Sequence, residues 1–214
     1  SVTDPLGLED FLRHIGPGWS NDVAGNVKKV IAMYDPLLRA APKCGVRVTC
    51  NIAYGPHARQ QLDVFAPEVG TSRAVVLFVH GGAFTGGERN RSTEVYANVL
   101  YYLARRGIVG VNMEYRQAPE FKYPCGTEDV ALASGWINAH IQQHGGSAKR
   151  MFVMGHSAGA AHAGSFAYDP AWQQGDCARP AGLIVVSGRM RADILAENPN
   201  ARKVEAYYGA GSAE

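Results

Sequence analysis

The 214-residue sequence contains little cysteine and lacks the spacing of a metal-binding cysteine motif. Its four cysteines are scattered and form no Cys-x-x-Cys pair; they are Cys44, Cys50, Cys125 and Cys177. The usual ligand spacing of a structural zinc site is therefore absent, and a disulfide framework is not expected in a chain of this length. Cys44 and Cys50 are near enough in sequence to pair across a loop, but two reduced thiols are the expected state. The sequence implies no metal and no organic cofactor.

Long apolar runs and a strong net charge are also absent. No run approaches the ~20 residues that cross a bilayer, so no membrane span is predicted. Residues 1–4 lack the layout of a signal peptide, which makes a cytoplasmic location the expectation. A net charge of +2 provides no basic stripe, so nucleic acid is not an expected partner. The content of 46% hydrophobic and 19% charged residues is that of an ordinary globular protein with a sizeable core.

Predicted strands and helices alternate along most of the chain, which favours an α/β fold with a mainly parallel sheet. Six strands are predicted, and the last is expected to be buried: 46–54, 59–66, 74–80, 108–115, 150–155 and 183–186. Helices are predicted from Ser92 to about Arg106 and from Thr127 to His144, each capped by its first residue. We divide the chain into a helical segment, residues 1–43, and an α/β core, residues 44–214.

The N-terminal segment is predicted to contain a long helix, because apolar residues from Val23 to Leu38 repeat at helical spacing. Ser20 or Asn21 is the expected N-cap. Pro36 follows Asp35 and is expected to end or bend the helix.

The pentapeptide Gly155-His156-Ser157-Ala158-Gly159 lies where a short apolar strand should turn into a helix. A serine between two glycines at such a turn indicates a nucleophile elbow, which holds the serine hydroxyl out on a strained corner. Gly155 and Gly159 would let the strand and the helix pass close together.

A second motif, His80-Gly81-Gly82-Ala83-Phe84, follows the apolar strand 74–79. A glycine-rich loop after a central strand can aim backbone N–H groups at an anion. Acyl transfer needs such donors, because negative charge develops on the carbonyl oxygen in the transition state.

Together these motifs resemble the α/β-hydrolase superfamily, and more narrowly the esterases similar to hormone-sensitive lipase and the arylformamidase-like enzymes. Two further stretches carry the resemblance, residues 59–67 and Glu114 to Glu120 with Tyr123-Pro124. The resemblance covers about residues 50–190. It implies a three-layer fold, with helices on both faces of a mostly parallel central sheet. In lipase-like relatives an N-terminal helical segment contributes to a cap over the active site; here residues 1–43 either do so or merely pack on the body.

The resemblance also implies roles for individual residues. Ser157 would be the nucleophile, and the backbone N–H groups of Gly82, Ala83 and Ala158 would form the oxyanion hole. His80 and Gly81 would orient the glycine-rich loop, and Phe84 and His156 are candidates to line the substrate pocket. The sequence departs from the lipase-like pattern at three positions: Ala83 replaces a glycine, Glu114 an aspartate and Gln117 a leucine.

The triad acid and histidine of this fold follow the nucleophile on later loops, and here they are not found. His162 is the only histidine after Ser157, and it should point away from the serine hydroxyl. The chain is therefore expected to be truncated after the sixth strand, or completed by a second polypeptide. A degenerate hydrolase fold kept for binding is the less favoured alternative.

The expected function is that of a serine carboxylesterase, which cleaves small to medium carboxylic esters through an acyl-enzyme on Ser157. Two alternatives stay open: an arylformamidase or amidase with the same machinery, and a non-catalytic ligand-binding protein. The expected partner is a small-molecule ester, and a homo-oligomer is left open.

Overall fold

The computed structural model describes residues 7–188 and 190–209, and it divides the chain into two compact units, residues 1–42 and residues 43–214. The outer ends of the predicted segments, residues 1–6 and 210–214, lie outside the described residues. The first unit contains helices α1 (Leu8–Ile15) and α2 (Val23–Ala40). Its contribution to a cap stays a prediction.

Helix α2 departs from the sequence expectation at both ends. Its N-cap is Asp22, whose carboxylate accepts a hydrogen bond from the Gly25 N–H at 2.9 Å. Ser20 and Asn21 lie in the short 3-10 helix before it, so both were wrong as N-caps. Pro36 does not end the helix, which continues to Ala40. The three residues after Asp35-Pro36-Leu37 are Leu38, Arg39 and Ala40, all good helix formers.

The second unit is built on one six-stranded sheet in the order β1-β2-β4-β3-β5-β6. The strands are β1 (Val46–Ala53), β2 (Gln61–Pro67), β3 (Arg73–Val79), β4 (Val109–Met113), β5 (Gly146–His156) and β6 (Gly182–Val186). The three pairings β3·β4, β3·β5 and β5·β6 are parallel, whereas β1·β2 and β2·β4 are antiparallel. The prediction of a mostly parallel sheet is confirmed.

Helices cover both faces of this sheet. They are α3 (Ala97–Ala104), α4 (Cys125–His140), α5 (Ala158–Tyr168) and α6 (Ala201–Tyr208). Side chains along a strand alternate between faces. Leu77 accordingly belongs to the core with α4 and α5, and its neighbour Phe78 to a second core with α3. The predicted three-layer arrangement follows from this alternation in strands that are buried on both sides.

Three local predictions were wrong. Strand β6 was expected to be buried, but Ile184, Val185 and Val186 are 40%, 42% and 36% exposed. It is the last strand at its side of the sheet, so among the described residues it pairs only with β5. Helix α3 starts at Ala97, because the Ser92 hydroxyl instead accepts N–H bonds within the turn before it. Helix α4 starts at Cys125, so Thr127 is inside it.

Two other sequence expectations concern cysteines and membranes. Cys44, Cys50, Cys125 and Cys177 are all free thiols, as expected. Among the helices of the described ranges, none has the length and apolar character that a bilayer crossing needs.

The central strand β3 should be the most sensitive part of this core. Leu77 has no solvent exposure and lies between β4 and β5. We expect Leu77→Ala to lower the free energy of unfolding by about 2–5 kcal/mol, because it removes buried methyl groups and leaves a cavity. Chemical denaturation measures this change. Leu132→Ala on α4 is the matched control, since Leu132 is 45% exposed and should cost less than about 1 kcal/mol. Equal losses in the two variants would contradict the assigned core.

Candidate active site

The serine of the elbow lies at the junction of β5 and α5 in a strained backbone conformation. Ser157 has φ 54° and ψ −120°, a region that costs a non-glycine residue about 1–3 kcal/mol. Two backbone hydrogen bonds hold it there: its N–H donates to the Val186 carbonyl at 3.0 Å, and its carbonyl accepts from the Ala160 N–H at 3.0 Å. The neighbouring strand β6 therefore helps to fix the turn.

Both glycines of the elbow are sterically required. A Cβ on Gly155 would lie 2.4 Å from the Ala160 Cα, and one on Gly159 would lie 2.2 Å from the Val79 carbonyl oxygen. The first clash is with α5 and the second is with the end of β3, so the glycines allow helix and strands to pass as closely as the sequence predicts.

The Ser157 hydroxyl is half-buried at the N-terminus of α5. Its oxygen makes no hydrogen bond to any residue in the described ranges. No described histidine or carboxylate thus stands in hydrogen-bond contact with it. The positive end of the helix dipole lies at the same place and favours negative charge there.

The glycine-rich loop, residues 81–87, lies directly against this serine. A Cβ on Gly81 would be 3.0 Å from the Ser157 Cβ and 2.9 Å from the His156 Nδ1. Parallel pairing explains the contact, because Val79 and Gly155 are partners in adjacent strands and the two loops leave the sheet at the same edge. The loop itself is tightly folded: Gly82, Ala83 and Phe84 have φ of 154°, 52° and 70°.

The directions of two N–H groups in this loop are set by the carbonyls of the same peptide planes. In a trans peptide the C=O and the following N–H point in opposite directions. The Gly81 carbonyl accepts from the His80 Nδ1 at 2.7 Å, which orients the Gly82 N–H. The Gly82 carbonyl accepts from the Gly86 N–H at 3.0 Å, which orients the Ala83 N–H. Within the described residues, the N–H groups of Gly82, Ala83 and Ala158 donate to no protein acceptor.

His80 is fully buried and connects this loop to a charged cluster beneath it. Its Nε2 lies 2.6 Å from the Glu114 carboxylate, which also accepts from Arg59 at 2.6 Å and from the Arg89 N–H at 3.1 Å. Burial by itself raises the pKa of Glu114. The hydrogen bond and charge of His80, with the Arg59 charge and the Arg89 N–H, outweigh burial and bring that pKa below its usual value.

The hydrogen bonds of His80 follow from the ionised state of Glu114. A carbonyl oxygen and an ionised carboxylate can only accept, so both ring nitrogens of His80 donate. The ring stacks on Tyr115, with centroids 4.3 Å apart, and the Tyr115 hydroxyl donates to the His80 carbonyl. The ring is thereby held at both nitrogens and by stacking on Tyr115, and neither nitrogen is available as a base.

The two other histidines near the elbow are bonded to tyrosines. His156 Nδ1 lies 3.0 Å from the Tyr96 hydroxyl, and burial, with the charges of Arg91 and His80, lowers the pKa of His156. His162 Nδ1 lies 3.2 Å from the Tyr207 hydroxyl, and burial, with the charge of His80, lowers the pKa of His162 to about 3. His162 therefore stays neutral at physiological pH, and its hydrogen bond goes to Tyr207 instead of Ser157.

Helix α6 was not predicted, and it supplies aromatic residues beside the glycine-rich loop. The Phe84 ring stacks on Tyr207, with centroids 4.8 Å apart and planes 7° from parallel. Phe84 and Tyr208 also line a cavity of about 250 Å³, together with Ala161 on the second turn of α5. The apolar residues Val204, Tyr207 and Tyr208 have the spacing of one helical face, a signal present in the sequence.

No group of His, Cys, Asp and Glu side chains in the described part of the chain has the arrangement of a metal site. The predicted site residues lie in two adjacent segments, the serine elbow and the glycine-rich loop. The structure brings Gly81 against Ser157 and His156, and it places Phe84 on the far side of the loop against α6. Their catalytic roles stay predictions.

Comparisons with known proteins agree with this geometry. The BD-FAE family model matches residues 62–176, which is more than half of the chain. Esterase LipC of Mycobacterium tuberculosis is 38% identical over 128 residues, 58% of this chain and 31% of LipC. The gibberellin receptor GID1A of Arabidopsis thaliana is 32% identical over 118 residues, 54% of this chain and 32% of the receptor. The chain thus matches about a third of the length of these curated relatives.

Among solved structures, a bacterial heroin esterase superposes with a TM-score of 0.67 at 22% identity, covering 89% of this chain and 64% of that esterase. A likeness at this identity concerns the fold alone. The chain therefore belongs to the BD-FAE family, and it has the α/β-hydrolase fold that its two glycine-rich motifs predict.

Proposed function

We propose that this chain provides the nucleophile and the oxyanion hole of a serine carboxylesterase that acts on small to medium esters. One observation carries the proposal: the strained Ser157 lies against a loop whose Gly82 and Ala83 N–H groups are oriented but unbonded within the described residues. Relatives named as esterases, such as LipC, support the same reaction class.

In the proposed reaction the Ser157 oxygen attacks the acyl carbon of the ester and loses its proton to a base. Negative charge then develops on the former carbonyl oxygen. The N–H groups of Gly82, Ala83 and Ala158 would donate to that oxygen, and such donors are worth most where they are fixed in advance. Collapse of the tetrahedral intermediate expels the alcohol and leaves an acyl-enzyme. Water then attacks the acyl carbon and releases the acid and free Ser157.

His80 has a positioning part in this proposal. Because both of its ring nitrogens are engaged, it orients the Gly82 N–H through the Gly81 carbonyl and accepts no proton from Ser157. A histidine and an acid outside the described residues would supply the base. A cytoplasmic location and a homo-oligomer stay predictions, because none of these contacts tests them.

A non-catalytic ligand-binding protein is the second candidate function. It is favoured by two observations: some relatives are named as receptors, and the Ser157 hydroxyl has no hydrogen-bonded base among the described residues. The cavity lined by Phe84, Ala161 and Tyr208 would then hold a small ligand that is not cleaved. Chemical labelling of Ser157 separates the two functions, because a fluorophosphonate reacts only with an activated serine.

For an esterase, Ser157→Ala should abolish both fluorophosphonate labelling and hydrolysis of p-nitrophenyl butyrate, with the unfolding transition unchanged. The reason is that the variant removes the hydroxyl that lies beside the glycine-rich loop, where the Ser157 Cβ is 3.0 Å from a Cβ built on Gly81. Ser147→Ala, at the opposite end of β5 from the elbow, is the matched control and should keep both activities. Labelling that persists in Ser157→Ala contradicts the nucleophile assignment. An unlabelled wild-type protein that still binds esters would favour the binding function.

The loop assignment can be tested separately with Gly82→Ala. A Cβ there would lie 1.8 Å from the Gly86 carbonyl oxygen, so the loop must move and its donors with it. We expect kcat and the rate of fluorophosphonate labelling to fall by about 100-fold or more, the loss typical of a missing oxyanion donor. Gly45→Ala controls for backbone strain, since Gly45 also has a positive φ, of 78°, but has open space around it. Wild-type rates in Gly82→Ala would rule out this loop as the oxyanion hole.

A further inference from the structure

The glycine-rich loop needs contacts that hold it, because two of its residues with side chains adopt a backbone that glycine favours. Ala83 and Phe84 both have φ in the left-handed region, at 52° and 70°. Such backbone persists only where the surrounding structure determines it. The side chains that hold the loop therefore also fix the directions of the Gly82 and Ala83 N–H groups.

The side chain of Gln117 makes two hydrogen bonds to this loop. Its Nε2 donates to the Gly86 carbonyl at 2.7 Å and to the Gly87 carbonyl at 2.8 Å. The next residue, Ala118, donates its backbone N–H to the Phe84 carbonyl at 3.0 Å. The segment after β4 thus donates hydrogen bonds to three carbonyls of the loop. Two of these bonds come from one side chain, that of the half-buried Gln117.

These bonds reach the oxyanion donors through one intermediate residue. Gly86 accepts from Gln117 through its carbonyl, and it donates its own N–H to the Gly82 carbonyl at 3.0 Å. The Gly82 carbonyl belongs to the same peptide plane as the Ala83 N–H. A Gly86 that is held by Gln117 therefore keeps the Ala83 N–H in a fixed direction.

Other side chains do not duplicate this contact. Arg59 also donates to the Gly87 carbonyl, at 3.0 Å, but the same guanidinium is bound to Glu114 and to the Tyr115 carbonyl. Among the described residues, Gln117 is the only donor to the Gly86 carbonyl. Loss of its amide would leave Gly86 held by its bond to Gly82 alone.

We propose that Gln117 is a positioning residue, whose side-chain amide fixes residues 86 and 87 and thereby aims the Ala83 N–H at the oxyanion. The proposal rests on the proposed esterase function for its catalytic consequence, but the loop contact itself can be tested without any activity. Glutamine is suited to this role, since one NH₂ group can donate to two neighbouring carbonyls.

The test compares Gln117→Leu and Gln117→Glu with wild type in the full-length protein. Leucine has a similar size but no donor, and an ionised glutamate places an acceptor against two carbonyls. Gln173→Leu is the matched control, because the Gln173 Nε2 also donates to two successive backbone carbonyls, of Phe166 and Ala167, both at 2.9 Å. It removes the same pair of amide hydrogen bonds at the C-terminal end of α5, away from Ser157.

We expect amide hydrogen exchange in peptides covering residues 81–90 to become about tenfold faster in both Gln117 variants and to stay unchanged in Gln173→Leu. For p-nitrophenyl butyrate we expect kcat to fall about tenfold with little change in KM, because the displaced donor acts in the transition state. Chemical denaturation measures the free energy of unfolding of each variant. We expect the Gln117 variants to lose no more of it than Gln173→Leu does, because the change at Gln117 is local to the loop.

Unchanged exchange in residues 81–90 would overturn the proposal, and so would faster exchange with wild-type kcat. If the wild-type protein neither hydrolyses esters nor reacts with a fluorophosphonate, the proposed function fails. The exchange comparison then still decides whether Gln117 holds the loop.

Discussion

The parallel pairing of β3 with β5 is the constraint on which the candidate site depends. It places Val79 beside Gly155, so that the loop after one strand and the elbow after the other leave the sheet together. Because the carboxyl ends of adjacent parallel strands lie at the same edge, Gly81 can contact Ser157, which is 76 positions further along the chain. The glycines are the second half of this constraint. Side chains at positions 81, 155 and 159 would push the loop, the strand and the helix apart.

At this edge of the sheet, hydrogen bonds to backbone carbonyl groups set the directions of the proposed N–H donors. Every N–H that is proposed to meet the oxyanion lies in a peptide plane whose carbonyl is hydrogen-bonded within the protein. The carbonyl partner is His80 for the Gly82 N–H, Gly86 for the Ala83 N–H and Ala160 for the Ala158 N–H. His80 is in turn held by Glu114, an ionised carboxylate with Arg59 and the Arg89 N–H as further donors. Buried charges are retained where such bonds compensate their desolvation. The cluster lies under the loop, and in the proposed function it would hold the loop's N–H donors in place before substrate binds.

The same arrangement suits either ester hydrolysis or ligand binding. The two functions differ in whether a base removes the proton of the Ser157 hydroxyl. Preorganised donors beside a serine would bind an ester carbonyl whether or not the bond is cleaved. Cleavage also requires a group that removes the hydroxyl proton, and His80, His156 and His162 are each engaged elsewhere. The relatives include proteins named as esterases and proteins named as receptors, which is consistent with a scaffold that serves either purpose.

The sequence by itself determined the local features: the six strand segments along the chain, the elbow and the glycine-rich loop. These depend on short-range signals such as apolar β-branched runs and glycines that only certain turns require. Tertiary structure decided the rest. The exposure of β6 follows from its position as the last described strand at its side of the sheet. The hydrogen bond from Gln117 to the loop joins residues 30 positions apart in the chain. The aromatic contact of α6 with the loop is the stacking of Tyr207 on Phe84, which are further apart still. Such contacts are set by how elements pack in three dimensions, and spacing along the chain does not encode them.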